Sequence, residues 1–509
     1  MTSSEIIPTS RAHRANPGVT EKPRTDPAPA TFADLGIAPD LLAAVAALGY
    51  TRPTAVQQQA IPLALPQAHG QRDHLMVSSQ TGSGKTAAYL LPVLDALLQL
   101  RQATVLQDSK ARDAQAAAAR AEGEPVPRKP RRRNPRNPRH FSPATPAALV
   151  LAPTRELAQQ VARDAIALLR HSQGLHVATV MGGMAYGKQL RELQNADLVV
   201  ATPGRLLDLQ RSGKLKLKQV RFLVVDEADR MLDLGFADAL AQINTLTAAR
   251  EQTLMFSATF AAPIQKLAQR ILPAGQATVH RLQIDSPQQS QAHIRQELYW
   301  ADDRKHKRRL LDYWLRDPAI GQALVFACTQ IECEALAHEL HDAGFVAASL
   351  HGGLGQALRN RRLTALRDGR IQILVATDVA SRGIDVPTVT HVFNYGLPMK
   401  AEDYTHRIGR TGRAGRSGLA VTLAEFGDRK RLAAIEAHTQ KAFVPLAVSG
   451  LEPTQSFPPI SGSKGRGKPQ GRRAPGVAGR DRFKAHGGRA RDSVPRSHKP
   501  RKPRRSAAR

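Results

Sequence analysis

Eight short apolar runs set the architecture this chain can adopt. Four lie within residues 147–259, in AALVLAPT, ADLVVATP, VRFLVVDEAD and TLMFSAT, and four within 322–426, in QALVFACT, IQILVATD, THVFNYG and LAVTLAEF. Runs this continuous suit strands buried on both faces, as in a parallel sheet covered by helices. Polar residues follow almost every run at once. They therefore stand at the carboxyl ends of the strands, where open α/β sheets bind ligands. Two such sets predict an α/β chain with two parallel-sheet domains in tandem and a cleft between them.

Charge divides the rest of the chain. Its 509 residues carry a formal net charge of +30. That excess points to a polyanionic partner, nucleic acid first, because neutralising phosphates releases counterions. Residues 461–509 hold 17 Lys and Arg against two Asp, and residues 101–146 hold 11 against four Asp and Glu. Both stretches are rich in Pro, Gly or Ala and are not expected to fold alone. The expected layout is a disordered leader over 1–30 and a first domain over 31–280, with a flexible basic insertion at 101–146. A linker over 281–292, a second domain over 293–448 and a basic disordered tail over 449–509 follow. The only cysteines are Cys328 and Cys333. They make no disulfide framework and no zinc spacing, so a cytoplasmic setting is expected. No run of about 18 apolar residues suggests a membrane span, and MTSSEIIPTSRAHR has no signal-peptide core.

The first chemistry lies in HLMVSSQTGSGKTAAYLLPVL. An apolar run, Leu75 to Val77, enters an eight-residue loop of Ser79, Gln80, Thr81, Gly82, Ser83, Gly84, Lys85 and Thr86, and a helical pattern follows. Gly82 and Gly84 let backbone N–H groups turn inward, and the helix N-terminus favours phosphate. Lys85 can reach the β- and γ-phosphates, and the Thr86 hydroxyl can ligate Mg2+. Ser79 departs from the commoner glycine at the loop's first position. A second strand ends in DEAD, Asp226 to Asp229. A carboxylate placed there orders Mg2+, often through water, which suits Asp226, and Glu227 can then orient and deprotonate the attacking water.

These motifs, in this order, resemble the DEAD-box RNA helicases of helicase superfamily 2 over about residues 32–425. Two RecA-like domains are what the resemblance implies. GYTRPTAVQ (49–57) is similar to the family's adenine-reading element, with Gln57 on the base edge, Tyr50 beside it and Phe32 as the upstream aromatic. PTRELA, the Gly182–Gly183 pair and TPGR resemble its RNA-contacting motifs, implying RNA contacts for Thr154, Arg155, Gly183, Thr202 and Arg205. SAT, with Ser257 and Thr259, is similar to the motif that links hydrolysis to RNA. In the second domain QALR implies an RNA contact for Arg359. ATDVASRGID implies one for Thr377 and a ribose contact for Asp385. HRIGRTGR faces the bound ATP in this family, which makes Arg410 and Arg413 arginine fingers and His406 and Arg407 coupling residues. A finger from outside the first domain is also what the chemistry asks for, since charge develops on the transferred phosphoryl group.

The resemblance implies ATP and Mg2+ as cofactors and RNA as a largely sequence-independent partner. It also implies RNA-stimulated ATP hydrolysis coupled to local unwinding of short duplexes or remodelling of RNA–protein complexes. Ribosomal precursors and the RNA-decay machinery are candidate settings, and bacterial RhlE-type members are the most similar subgroup. An ATP-gated RNA clamp with little unwinding and a DNA-directed superfamily 2 translocase are the alternatives.

Overall fold

The computed structural model of the chain describes residues 31–67, 70–79, 82–121, 142–272, 278–284, 293–381, 384, 386, 388–412, 416–457 and 460. Seven strands make the first sheet: β1 (His74–Ser78), β2 (Ala148–Leu151), β3 (Val177–Val180), β4 (Leu198–Ala201), β5 (Phe222–Val225), β6 (Gln252–Ser257) and β7 (Val279–Gln283). Their order is β3-β4-β2-β5-β6-β1-β7. A second seven-stranded sheet contains β8 (Ile294–Trp300), β9 (Ala323–Phe326), β10 (Ala347–Leu350), β11 (Ile373–Ala376), β12 (His391–Asn394), β13 (Gly418–Ala424) and β14 (Pro445–Leu446). It runs β10-β11-β9-β12-β13-β8-β14. Neighbouring strands pair in parallel in both sheets, so each sheet presents all its carboxyl-end loops along one edge.

Burial on both faces explains the continuous runs. In β1, Leu75 and Val77 enter one hydrophobic cluster and Met76 the cluster on the opposite face. In β9, Val325 faces one cluster while Leu324 and Phe326 face another. At roughly 25 cal/mol per Å2 of apolar area removed from water, these two-sided strands dominate the stability of each domain.

Three boundaries differ from expectation. Residues 101–121 continue the helix that begins at Lys85, a single element of 37 residues ending at Ala121. The helix is buried through Leu98 and mostly exposed beyond it. Alanine and long straight side chains, as in AQAAAARA, favour helix even without a core to pack on, so composition misled where propensity did not. Residues 122–141 lie outside the described residues; Ala144 then bridges to Leu215. The first sheet runs on through β7 to Gln283, into the expected linker. The second domain does not stop at 448. The Thr454 amide and hydroxyl both donate to Asp302 at 2.9 Å, and Phe457 stacks on Trp300 with centroids 4.4 Å apart. Ile460 is buried with Ile294 and Tyr404. The expected tail therefore begins with a strap that packs on the second sheet, while 461–509 and the leader 1–30 lie outside the described residues.

Candidate nucleotide and RNA site

The loop after β1 is braced from the residues upward. Gly82 and Gly84 have φ of 84° and 91°, a region only glycine enters freely. A Cβ on Gly84 would also stand 2.6 Å from the Gln57 amide. That amide donates to the Gly84 carbonyl at 3.0 Å, and its oxygen accepts from the Thr54 amide at 2.9 Å, closing a capping box on the helix Ala55–Ala64. Gln57 thus ties the GYTRPTAVQ segment to the glycine-rich loop. Phe32, buried, and Tyr50, half-exposed, stack nearby at 6.5 Å. The Ser79 hydroxyl donates to Ser83 at 2.6 Å, and the Lys85 ammonium donates to the Ser79 carbonyl at 2.5 Å. Gln80 and Thr81 lie outside the described residues.

Asp226 and Glu227 stand at the end of β5, directly across from Lys85. Burial first, then the neighbouring Glu227, pushes Asp226 up to about 6; Lys85 and a hydrogen bond from Tyr89 oppose the rise. Burial lowers Lys85, and Asp226, Glu227 and Asp229 resist that. Glu227 has φ 48° and ψ 55°, left-handed for a residue with a side chain, and its amide donates to Asp226 Oδ1 at 2.9 Å. Such backbone costs on the order of 1–3 kcal/mol and collects at functional sites. Burial and Glu227 also push Asp229 up. Glu227 thus raises both neighbouring aspartates, and a buried carboxylate such as Asp226 beside a phosphate loop is chemistry that fits a divalent cation. Among the described residues no cluster of three or more His, Cys, Asp or Glu could hold a metal ion by itself.

The SAT residues join this centre. The Ser79 amide donates to the Ser257 carbonyl at 3.0 Å, and the Ala258 amide donates to Asp229 Oδ2 at 3.1 Å. The Thr259 amide reaches Ser257 Oγ at 3.4 Å. The second DEAD aspartate, Asp229, therefore holds the SAT turn.

The second domain closes on this edge. Arg230, only 3% exposed, forms an ion pair with Asp403 and donates to His406 Nδ1 at 2.8 Å. Burial, then Arg230 and Arg410, hold His406 well below its ordinary range, as a neutral acceptor must be. Arg410 donates to the His406 and Ile384 carbonyls at 3.2 and 2.9 Å, and its charge reaches Lys85 across the cleft. Arg407 turns inward: it grips Asp378 at 2.6 and 2.8 Å and lies 4.8 Å over the Phe326 ring. It thereby fixes the helix Ala401–Ile408, which carries the start of HRIGR, to the short helix Asp378–Ser381 after β11. Arg413 and Asp385 lie outside the described residues.

The expected RNA residues line the same carboxyl-end edges. Thr154 caps the helix Arg155–Leu168, accepting from the Leu157 amide. Thr202 precedes the helix Pro203–Arg211, Thr377 follows β11, and Arg205 lies 3.7 Å from Asp208. Arg155 lies against Gly182 and Gly183, where any Cβ would come within 2.9 and 2.8 Å of its guanidinium. Arg155 also donates to Gln356 Oε1 at 3.2 Å. Arg359 differs from expectation. Its guanidinium is buried in an ion pair with Glu156 of the first domain at 2.8 Å and donates to the His351 carbonyl at 3.0 Å. A buried carboxylate needs such a partner, so Arg359 joins the domains at the RNA edge. Glu156, Asp229, Arg230 and Asp403 escaped the sequence reading; Glu156 and Asp229 sit inside motifs that had been recognised.

Residues 54–267 match the DEAD/DEAH box helicase family and residues 305–415 the helicase conserved C-terminal domain. The ATP-dependent RNA helicase SrmB of Escherichia coli is 37% identical over 84% of this chain and 86% of its own length. The DEAD-box ATP-dependent RNA helicase CshA of Bacillus subtilis is 34% identical over 81% of this chain and 73% of its own. Among solved structures, S. cerevisiae Dbp5 bound to RNA and ADP BeF3 superposes with a TM-score of 0.65 at 29% identity, covering 82% of this chain and 96% of that one.

Proposed function

The chain belongs to the DEAD-box family of RNA helicases, and on that premise we propose how its two domains share one ATP and one RNA strand. It is an ATP-dependent RNA helicase that hydrolyses ATP and acts on RNA. Among the described residues no helix is long and apolar enough to cross a membrane; a cytoplasmic site of action is part of the proposal, as is the RhlE-like subgroup, which rests on the compact core and basic C-terminus.

In this reading ATP binds with its base between Gln57 and Tyr50, beside Phe32, and its phosphates over residues 79–86. Thr86 and, partly through water, Asp226 would hold Mg2+, which would supply neutralisation of phosphate charge. Glu227 orients the attacking water and takes its proton. Arg410, with Arg413, stabilises the charge that develops on the γ-phosphoryl group, and Asp385 meets the ribose. RNA lies across Thr154, Arg155, Gly183, Thr202, Arg205 and Thr377, with Arg359 acting through Glu156. Ser257, Thr259, His406 and Arg407 link the two ligands.

The observation that carries this reading is the meeting of the DEAD turn with the HRIGR helix. Arg230 stands on Asp403 and His406, and Arg410 donates to the carbonyl of that same His406. ATP and RNA that each bind across one cleft must favour each other's binding, since both favour closure. Closing on a single strand excludes a duplex, so closure itself separates a short duplex and hydrolysis reopens the cleft. Steady-state ATP hydrolysis with and without single-stranded RNA tests the reading. Strong stimulation, lost in Glu227→Gln, is expected. RNA-independent hydrolysis would overturn the coupling, and tight ATP-dependent RNA binding without turnover would identify a clamp.

A further inference from the structure

Tyr89 lies on the same face of the helix Lys85–Ala121 as Lys85 and Thr86, four and three residues before it. Helical side chains tilt toward the N-terminus, so its phenol leans back under the phosphate loop. The residue is completely buried. Its hydroxyl donates to Asp226 Oδ2 at 2.8 Å, and the Thr86 side chain hydrogen-bonds the same hydroxyl. Its ring meets Phe256 edge to face, centroids 5.2 Å apart, and Phe256 immediately precedes Ser257. Packing alone does not call for the oxygen, because phenylalanine would fill the same volume. One phenol therefore touches both side chains assigned to the metal, and the ring that carries it is clamped to the strand leading into the SAT turn.

We propose that Tyr89 is a positioning residue of the nucleotide site, whose hydroxyl holds the Asp226 carboxylate and the Thr86 hydroxyl in the relative orientation that receives the Mg2+ of Mg·ATP. The inference rests on the reading of Asp226 and Thr86 as the metal's carriers. Of the two Asp226 oxygens, Oδ1 takes the Glu227 amide and Oδ2 the phenol, so the carboxylate plane is fixed from both sides. Removing the phenol frees one side and leaves the other. Partners that orient a metal ligand in this way typically change metal affinity or activity by 10- to 100-fold.

The test uses the full chain and fluorescent methylanthraniloyl-ADP, titrated with Mg2+, so that no turnover is required. Tyr89→Phe keeps the ring and its contact with Phe256. It is expected to raise the Mg2+ concentration that half-maximally tightens nucleotide binding by about tenfold, with metal-free nucleotide binding and the thermal midpoint unchanged. An unchanged Mg2+ midpoint, or an equal loss of binding in EDTA, overturns the proposal. Asp226→Asn separates the two levels. If it abolishes the Mg2+ dependence while Tyr89→Phe leaves it unmoved, the positioning role alone fails. If Asp226→Asn leaves the Mg2+ dependence intact, the metal reading beneath it fails as well.

Discussion

Arg230, the residue immediately after the DEAD run, forms a buried ion pair with Asp403 of the second domain, 173 positions away in sequence. The same guanidinium holds His406, the first residue of the HRIGR segment. The DEAD turn and the helix Ala401–Ile408, two residues before Arg410, are thus joined through one side chain.

The pH dependence of closure follows from His406. Its affinity for protons is pushed well below the ordinary 6.5 by burial and by Arg230 and Arg410. The folded state therefore binds fewer protons at this site than a free imidazole would. The contribution is full above pH 6.5 and is lost as pH falls below it. RNA affinity in the presence of a non-hydrolysable ATP analogue should weaken between pH 7.5 and 5.5, and His406→Gln should flatten that part of the profile. Fluorescence anisotropy of a labelled RNA measures it.

Glu227→Gln keeps the shape and the left-handed backbone of the residue but removes the base. Turnover should fall by roughly 10²- to 10⁴-fold, the range general bases contribute, while nucleotide and RNA affinities stay within about twofold. Single-turnover hydrolysis beside equilibrium binding separates the two; a matching loss of ATP affinity would place Glu227 in binding rather than chemistry.

The strap after β14 predicts a sharp difference between two truncations. A chain ending at Val448 loses Phe457 from Trp300, Ile460 from its cluster and the Thr454 cap on Asp302. Burial of a side chain such as Ile460 stabilises by about 2 kcal/mol, so this chain should melt several degrees lower. A chain ending at Ser461 should melt like the full protein and lose only RNA affinity, most at low salt.

Burial pushes the Cys333 thiol up to about 11, and it is fully enclosed in the second domain's core. Cys328 is exposed. Because the thiolate is the reactive form, a thiol reagent at pH 8 should label one cysteine per native chain and two in denaturant. Peptide mapping should place the first label on Cys328.

Much of this was legible in the sequence because the central strands are buried on both faces. β2, β4, β5, β6, β9, β11, β12 and β13 show as continuous apolar runs. The strands that did not show were edge or near-edge ones: the short β3, β10 and β14, with β7, VHRLQ, and β8, IRQELYW, which carry polar residues among their apolar ones. The phosphate loop and DEAD were readable because their chemistry is contiguous. The pairs Arg230–Asp403 and Glu156–Arg359 were not, since nothing local marks two residues some 200 or 170 positions apart as partners. Arg359 shows the consequence: the resemblance of QALR implied an RNA contact, and only the fold reveals its buried ion pair with Glu156. The helix over 101–121 was hidden differently, by a composition that is equally common in disordered segments.

The central claim is that ATP and RNA are coupled through closure across the Arg230–Asp403 contact. Its most direct test is the dissociation constant of a labelled single-stranded RNA, measured with and without a non-hydrolysable ATP analogue, for the wild type and for Arg230→Ala. The account predicts tightening of about 5- to 150-fold by the nucleotide in the wild type, the usual range for coupled sites, and little or none in Arg230→Ala. Equal RNA affinity with and without nucleotide in the wild type, or full tightening in Arg230→Ala, would contradict it.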